Sequence, residues 1–244
     1  MDRPIFLAKA VLAALWFGIC SAAGLGMSLL RWKDPSCGHD FARMLSPPLL
    51  RLFGIQLSVE GEERLHAAAP CVYVANHQSN LDVVFFGMVY PPRTLLIGKR
   101  ELMWIPFFGL MFAAMGNVLM DRRDSKRCID AMSALASRMP QQGLCVWIFP
   151  EGHRNQGGPL LPFKKGAFHL AADAGVPLVP LVLGPIRRVV DPSRMRCPGG
   201  RIELKVLEPI PSAGREVPEL MAEARQRMEQ GLALLNRPAV EARG

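Results

Sequence analysis

Nothing in this sequence places cysteines at metal-binding spacing. Cys20, Cys37, Cys71, Cys128, Cys145 and Cys197 are scattered, and no two form a CxxC pair. With Cys71 and Cys145 inside apolar runs, they are expected to be reduced, packed thiols of a reducing compartment rather than a disulfide framework or a metal site. Negative charge is scarce between residues 93 and 201, where 7 Asp/Glu stand against 16 Lys/Arg; elsewhere 14 stand against 13. The formal net charge of +8 therefore belongs to one region, which asks for an anionic partner: phosphate ligands, a phospholipid surface or nucleic acid. Nucleic acid drops out, because there is no zinc-finger spacing, no basic helix with heptads and no RNA-binding aromatic pair. Internal repeats and low-complexity tracts are absent as well.

Charge is missing altogether from Ala10 to Leu30, 21 residues that match the roughly 20 needed to cross a bilayer. Arg31-Trp32-Lys33 follows, an aromatic and basic cluster suited to the headgroup layer. A cleaved signal sequence is the rival, with Arg3 and Lys9 as its basic start and Ser21-Ala22-Ala23 as a small-residue site. The apolar run continues to Leu30, which favours an anchor. A second apolar segment, Phe41 to Phe53, carries Pro47-Pro48 and the charges Arg43 and Arg51, too short and too charged to span. It reads as a kinked helix returning along the membrane face, the second arm of a hairpin inserted in one leaflet.

What is present from Ile55 onward is an α/β pattern. Strands are predicted at 55–59, 71–75, 94–98, 116–120, 144–149, 178–183 and 201–206, and helices at 81–89, 104–114, 125–139, 166–174 and 219–235. Strands separated by helices imply a mostly parallel central sheet covered by helices, preceded by a hydrophobic helical membrane anchor. The division is an anchoring segment at 1–53 and an α/β domain at 54–244 that ends in a packing helix.

The stretch Cys71 to Asp82 carries the sharpest signal. An apolar run breaks into Asn76-His77-Gln78-Ser79-Asn80 before a helical pattern, with Asn80 as the expected N-cap. On one helix His77 and Asp82 would point about 140° apart, so they meet only if the chain turns between them. The carboxylate could then fix the tautomer of the imidazole and leave its other nitrogen as a base. The plainer alternative is a strand-end histidine and an ordinary first-turn aspartate. Three further clusters end on the same sheet edge: Gly116 to Arg122, Phe149 to Asn155, and Leu161 to Phe168 with Lys164 and Lys165 ahead of a helix. Each alone is a solvated strand end. Together His77, Arg122, Glu151 and Arg154 suit a phosphate-bearing substrate whose hydroxyl must be activated.

These blocks resemble the glycerolipid acyltransferase family, in particular its bacterial 1-acylglycerol-3-phosphate branch. Asn76 to Asp82 matches the first block, a His followed by four residues and an Asp, and Ile97 to Leu102 with Ile105 to Gly109 looks like the segment before the second. Gly116 to Arg122 matches the second block, Phe149 to Asn155 the third, and Val179 to Val182 is similar to the fourth. The resemblance implies acyl transfer from acyl-CoA or acyl-carrier protein to the sn-2 hydroxyl of lysophosphatidic acid. His77 is then the general base and Asp82 its orienting carboxylate; Lys99, Arg122, Glu151, Gly152 and Arg154 shape the acceptor and phosphate site. Glu151 would orient Arg154 or the glycerol hydroxyls. No cofactor, metal or nucleophilic Cys or Ser is expected. The chain departs from the family in having His153 and Asn155 where Thr and Ser are usual, which bears on the exact acceptor. Another lysolipid, such as a lyso-ornithine lipid, is the alternative acceptor, and a non-catalytic anionic-lipid-binding module is the alternative of a different class. The expected partners are the lysolipid, the thioester donor and the phospholipid surface. The expected place is the cytoplasmic membrane, with the catalytic domain on the cytosolic side.

Overall fold

Seven apolar runs become seven strands: β1 (Ile55–Glu60), β2 (Val72–Ala75), β3 (Thr94–Lys99), β4 (Val118–Met120), β5 (Cys145–Ile148), β6 (Leu178–Leu183) and β7 (Gly200–Val206). The structure, a computed structural model, describes residues 3–121 and 123–236. Its helices are α1 (Arg3–Leu30), α2 (Cys37–Phe53), α3 (Glu63–Ala67), α4 (Asp82–Phe86), α5 (Phe108–Ala114), α6 (Ser125–Gln142), α7 (Gly166–Ala174) and α8 (Val217–Leu235). The helix expected over 104–114 is split. Pro106 pushes Ile105 into an extended conformation (ψ 118°), so a 3₁₀ turn at Arg100–Trp104 ends there and α5 starts afresh. At five residues, α3 is too short to leave a periodic signature. Gly175, read from the sequence as a helix stop, ends α7 in the left-handed conformation (φ 64°) that a glycine enters at no steric cost.

The sheet order is β1-β7-β6-β2-β5-β3-β4. All neighbours are parallel except β6 and β7, so five strands from β6 to β4 end at one edge, and β1 and β7 begin there. Side-chain parity sorts the core into two layers. Tyr73, Ala75, Trp147, Val179 and Leu181 face a layer closed by α1, α2, α4 and α5. Val72, Val74, Val146, Leu178 and Val182 face one closed by α6, α7 and α8.

The expected boundary at 53/54 falls between α2 and β1, yet the two sides share one core. Phe41, Leu45, Leu49 and Leu50 of α2 are buried in the same cluster as Tyr73 and Trp147. The apolar stripe of α2 therefore turns inward onto the sheet, with Arg43 and Arg51 outside, instead of lying along a membrane. A sheet face this apolar has to be covered, and α2 is the neighbour that covers it. Of the segment expected to anchor the chain, α1 alone keeps an apolar outer surface. It is long and apolar enough to cross a membrane, and Ile5, Leu7, Val11, Leu12, Leu15 and Ile19 are exposed along it.

Candidate active site

β2 lies between β5 and β6, and the two connections that bracket its end go to opposite faces. β2 leads into α4 on one face, whereas β5 leads into α7 on the other. The crevice between such strands, at their carboxyl ends, is where open α/β sheets hold their ligands. His77 emerges there with the parity of Tyr73 and Ala75, on the α4 side.

The turn predicted between His77 and Asp82 exists, though Asn80 does not cap it. Ser79 Oγ accepts from Leu81 N (2.9 Å), and α4 begins at Asp82 itself. Asp82 Oδ2 accepts from His77 Nδ1 (2.5 Å), Gln78 N (2.8 Å) and Ser79 N (3.1 Å). A carboxylate oxygen has no proton to give, so Nδ1 carries the proton and Nε2 is left with its lone pair. Asp82 is buried, and its Oδ1 has no partner among the described residues. Burial pushes its carboxyl up, against the lowering effect of the His77 contact and the two backbone donors. A poorly solvated anion gains more than a hydrated one from a positive charge forming beside it, because the local dielectric is low. The His77 ring is stacked on Phe149 (centroids 4.2 Å, 17°), which fixes its plane while 20% of the side chain stays accessible.

The chain around His77 is held from both neighbouring strands. On the β5 side, Glu151 Oε1 accepts from His77 N (2.7 Å), and Asn155 N donates to His77 O (2.7 Å). Glu151 Oε2 accepts from Asn155 Nδ2 (3.1 Å) and Leu161 N (2.8 Å). On the β6 side, Asn76 exchanges two bonds with the Leu183 backbone. Gln78 bonds Leu183 O, Gly184 O and Ile186 N. Both amides are buried.

The sequence-predicted site residues are placed unequally. His77 and Asp82 are in contact. Glu151 is only 1% exposed, and its oxygens accept from His77 N, Leu161 N and Asn155 Nδ2, with no bond to Arg154 among the described residues. Burial pushes its carboxyl up as well, offset in part by those donors. Gly152 supplies the left-handed turn (φ 72°) that follows it. Arg154 is exposed on the same loop, and Lys99 is exposed at the end of β3. Arg122 lies outside the described residues. Phe149, Asn76 and Gln78 were not singled out from the sequence. The signal available was two amides flanking a histidine at a strand end, since buried amides take backbone partners.

A family model described as Acyltransferase matches residues 56–184. The 1-acyl-sn-glycerol-3-phosphate acyltransferase of Haemophilus influenzae is 36% identical over 86% of this chain and 87% of its own. The Escherichia coli protein of that name is 35% identical over 84% and 82%. The human 1-acyl-sn-glycerol-3-phosphate acyltransferase alpha is 34% identical over 89% and 75%. Among solved structures, the fold is similar to that of the 1-acyl-sn-glycerophosphate (LPA) acyltransferase, PlsC, from Thermotoga maritima. That likeness has a TM-score of 0.76 at 22% identity and covers 96% of this chain and 95% of the other.

Proposed function

The chain belongs to the acyltransferase family, and from that premise we propose how its sheet edge works and where it sits. It is a 1-acylglycerol-3-phosphate O-acyltransferase, which esterifies the sn-2 hydroxyl of lysophosphatidic acid to give phosphatidic acid. The observation that carries the mechanism is the 2.5 Å contact between His77 Nδ1 and Asp82 Oδ2, with Nε2 left free at an accessible edge. His77 Nε2 takes the proton of the acceptor hydroxyl as its oxygen attacks the thioester carbonyl carbon. The C–S bond then breaks, and the departing thiolate takes the proton back from the imidazolium. Asp82 holds the imidazolium during the interval in which it is charged. The acyl group passes directly between substrates, so no nucleophilic side chain is required. The donor is an acyl-CoA or acyl-carrier-protein thioester, and Arg154 and Lys99, exposed at this edge, meet the phosphate of the acceptor.

α1 lies in one leaflet of the cytoplasmic membrane and brings the edge to the lipid from the cytosolic side. What supports this is its packing along its whole length. Phe6 is buried in one cluster with Leu49 and Val190 near one end, the Gly24 backbone lies against Met111 near the other, and Lys33 N bonds Ala114 O just beyond it. A helix 28 residues long, about 42 Å, that rests on its own α/β domain throughout could cross a bilayer only by dragging that domain in.

The deciding experiment offers the purified protein a panel of lysolipids (lysophosphatidic acid, lyso-ornithine lipid and lysophospholipids with larger heads) with both thioester donors. Turnover is expected with lysophosphatidic acid above the rest. A larger-headed acceptor winning would move the reading to another lysolipid acyltransferase, and no transfer to any would remove it.

A further inference from the structure

The reaction brings together two phosphate-bearing substrates, yet Lys99 and Arg154 come from β3 and β5, on one side of β2. The other side is built by the loop after β6. Residues 184–199 carry Arg187, Arg188, Arg194 and Arg196 against one acid, Asp191, and all five line one open cavity of about 160 Å³. Two of these cations are engaged. Arg188 donates to the carbonyls of Leu235 (3.1 Å) and Asn236 (2.8 Å), and Arg194 Nε lies 3.8 Å from Asp191 Oδ2. Arg187 and Arg196 make no side-chain hydrogen bond or ion pair among the described residues.

The loop cannot easily splay to relieve this repulsion. Asp191 and Arg196 exchange two backbone bonds (2.7 and 3.0 Å), and Asp191 Oδ1 accepts from Ser193 N and Arg194 N. Cys197 is buried beneath, its thiol against the carbonyls of Phe53 and Val189. Arg187 lies with its stem along Gly157, where a Cβ would come within 3.6 Å of Arg187 Cδ. Guanidinium groups held together on a rigid turn are a preformed phosphate site, since each can offer two parallel N–H donors.

We propose that this cavity takes the phosphate at the end of the acyl donor's phosphopantetheine arm, a group shared by acyl-CoA and acyl-carrier protein. The proposal rests on the acyl-transfer reading above. Reach separates the two substrates. In the acceptor only one carbon and one oxygen stand between the hydroxyl-bearing carbon and phosphorus, so its cation must lie close to His77. In the donor the whole pantetheine arm intervenes between thioester and phosphate, so its cation must lie further along the edge. Arg187 stands on the far side of β2 from Lys99 and Arg154, and it follows Ile186, whose N–H is held by the side chain of Gln78, the residue after His77. The same bond ties the cavity rigidly to the base.

The test compares acyl-CoA, acyl-carrier protein and acyl-pantetheine, which lacks the phosphate, at fixed lysophosphatidic acid in detergent. With the unaltered protein, KM for acyl-pantetheine should exceed that for the phosphorylated donors by about tenfold, the loss expected for a charged contact. This preference should weaken as salt is raised. In Arg187→Glu/Arg196→Glu the preference should collapse, with KM for lysophosphatidic acid unmoved; Arg187→Lys should keep part of it. Collapse with both phosphorylated donors upholds the shared phosphate as the occupant, and collapse with acyl-CoA alone overturns it in favour of the nucleotide phosphates. An unchanged preference overturns the proposal. So does a variant that instead raises KM for the acceptor or loses binding to anionic vesicles, which would make the cavity a lipid-headgroup site. Absence of transfer by the unaltered protein with every donor would instead indict the acyl-transfer reading.

Discussion

The two faces of the sheet are covered by helices built on the same inward physics and opposite outward chemistry. On one face, α6 and α8 bury Leu135, Met139, Leu220 and Met228, and turn Lys126, Arg127 and Glu219 to solvent. Arg215 and Arg227 both reach Glu223, and Arg225 reaches Glu229. On the other face, α1 buries Phe6 and Cys20 and turns Ile5, Leu7, Val11, Leu12, Leu15 and Ile19 outward. A helix is amphipathic when one side meets water, and apolar all round when neither side does. The difference is the one expected of two faces that meet different solvents, as the proposed membrane placement requires. The base belongs to the second: His77 follows the parity of Tyr73 and Ala75, which point to the α1 side. On the membrane placement proposed above, the chemistry sits on the face turned to lipid, where a lysolipid acceptor would reside.

The comparison breaks most sharply at His77. His77→Ala is expected to cut turnover by about 10²–10⁴-fold, with the thermal midpoint and membrane association unchanged. Near-normal turnover in folded His77→Ala would take the reaction off this face. Asp82→Asn should fall comparably, because an amide can hold the wrong tautomer. Its pH behaviour sharpens the point. Since burial pushes the Asp82 carboxyl up, the activity that depends on its ionised form should fall at a higher pH than an ordinary carboxylate would dictate, and Asp82→Asn should remove that share of the pH dependence. For stability the sign is opposite to the usual aspartate. A raised carboxyl favours the fold below its ordinary value, and that contribution is lost as pH rises through the raised one. Asp82→Asn should therefore melt no lower at neutral pH, and a large drop would mean that the carboxylate is structural.

A middle-sized effect is expected where the two loops are tied. Glu151→Gln replaces one acceptor oxygen by an NH₂ that faces the donors of Leu161 N or Asn155 Nδ2. Leaving one buried donor unmet costs about 1–3 kcal/mol, read as a lower thermal midpoint together with lower kcat. A loss confined to acceptor KM at an unchanged midpoint would return Glu151 to direct substrate contact.

The smallest effects compare the outer surfaces themselves. The unaltered protein should resist salt and need detergent for extraction, whereas Leu12→Glu/Leu15→Glu on α1 should shift part of it into the salt-released fraction. Leu234→Glu, an exposed leucine of α8, should leave extraction unchanged and move stability by no more than about 0.5 kcal/mol. If the α8 substitution released the protein and the α1 pair did not, the lipid-facing side would have been assigned to the wrong face.

Much of this was determined by the sequence alone. Seven apolar runs, the charge-free stretch from Ala10 to Leu30, the helix stop at Gly175 and the turn that brings Asp82 back to His77 are local facts. Each depends on the periodicity or turn chemistry of a few consecutive residues. The tertiary structure decided the rest. It set β2 between β5 and β6, reversed β7 against β6, turned the apolar stripe of α2 inward, and made Glu151 a brace for His77 74 residues away. It also drew two arginines from each end of one loop around a single cavity beside the carboxyl end of β6. Local patterning states which side of an element is apolar; which partner covers that side, and which backbone a buried amide or carboxylate must satisfy, is set by groups roughly a hundred residues away in the chain.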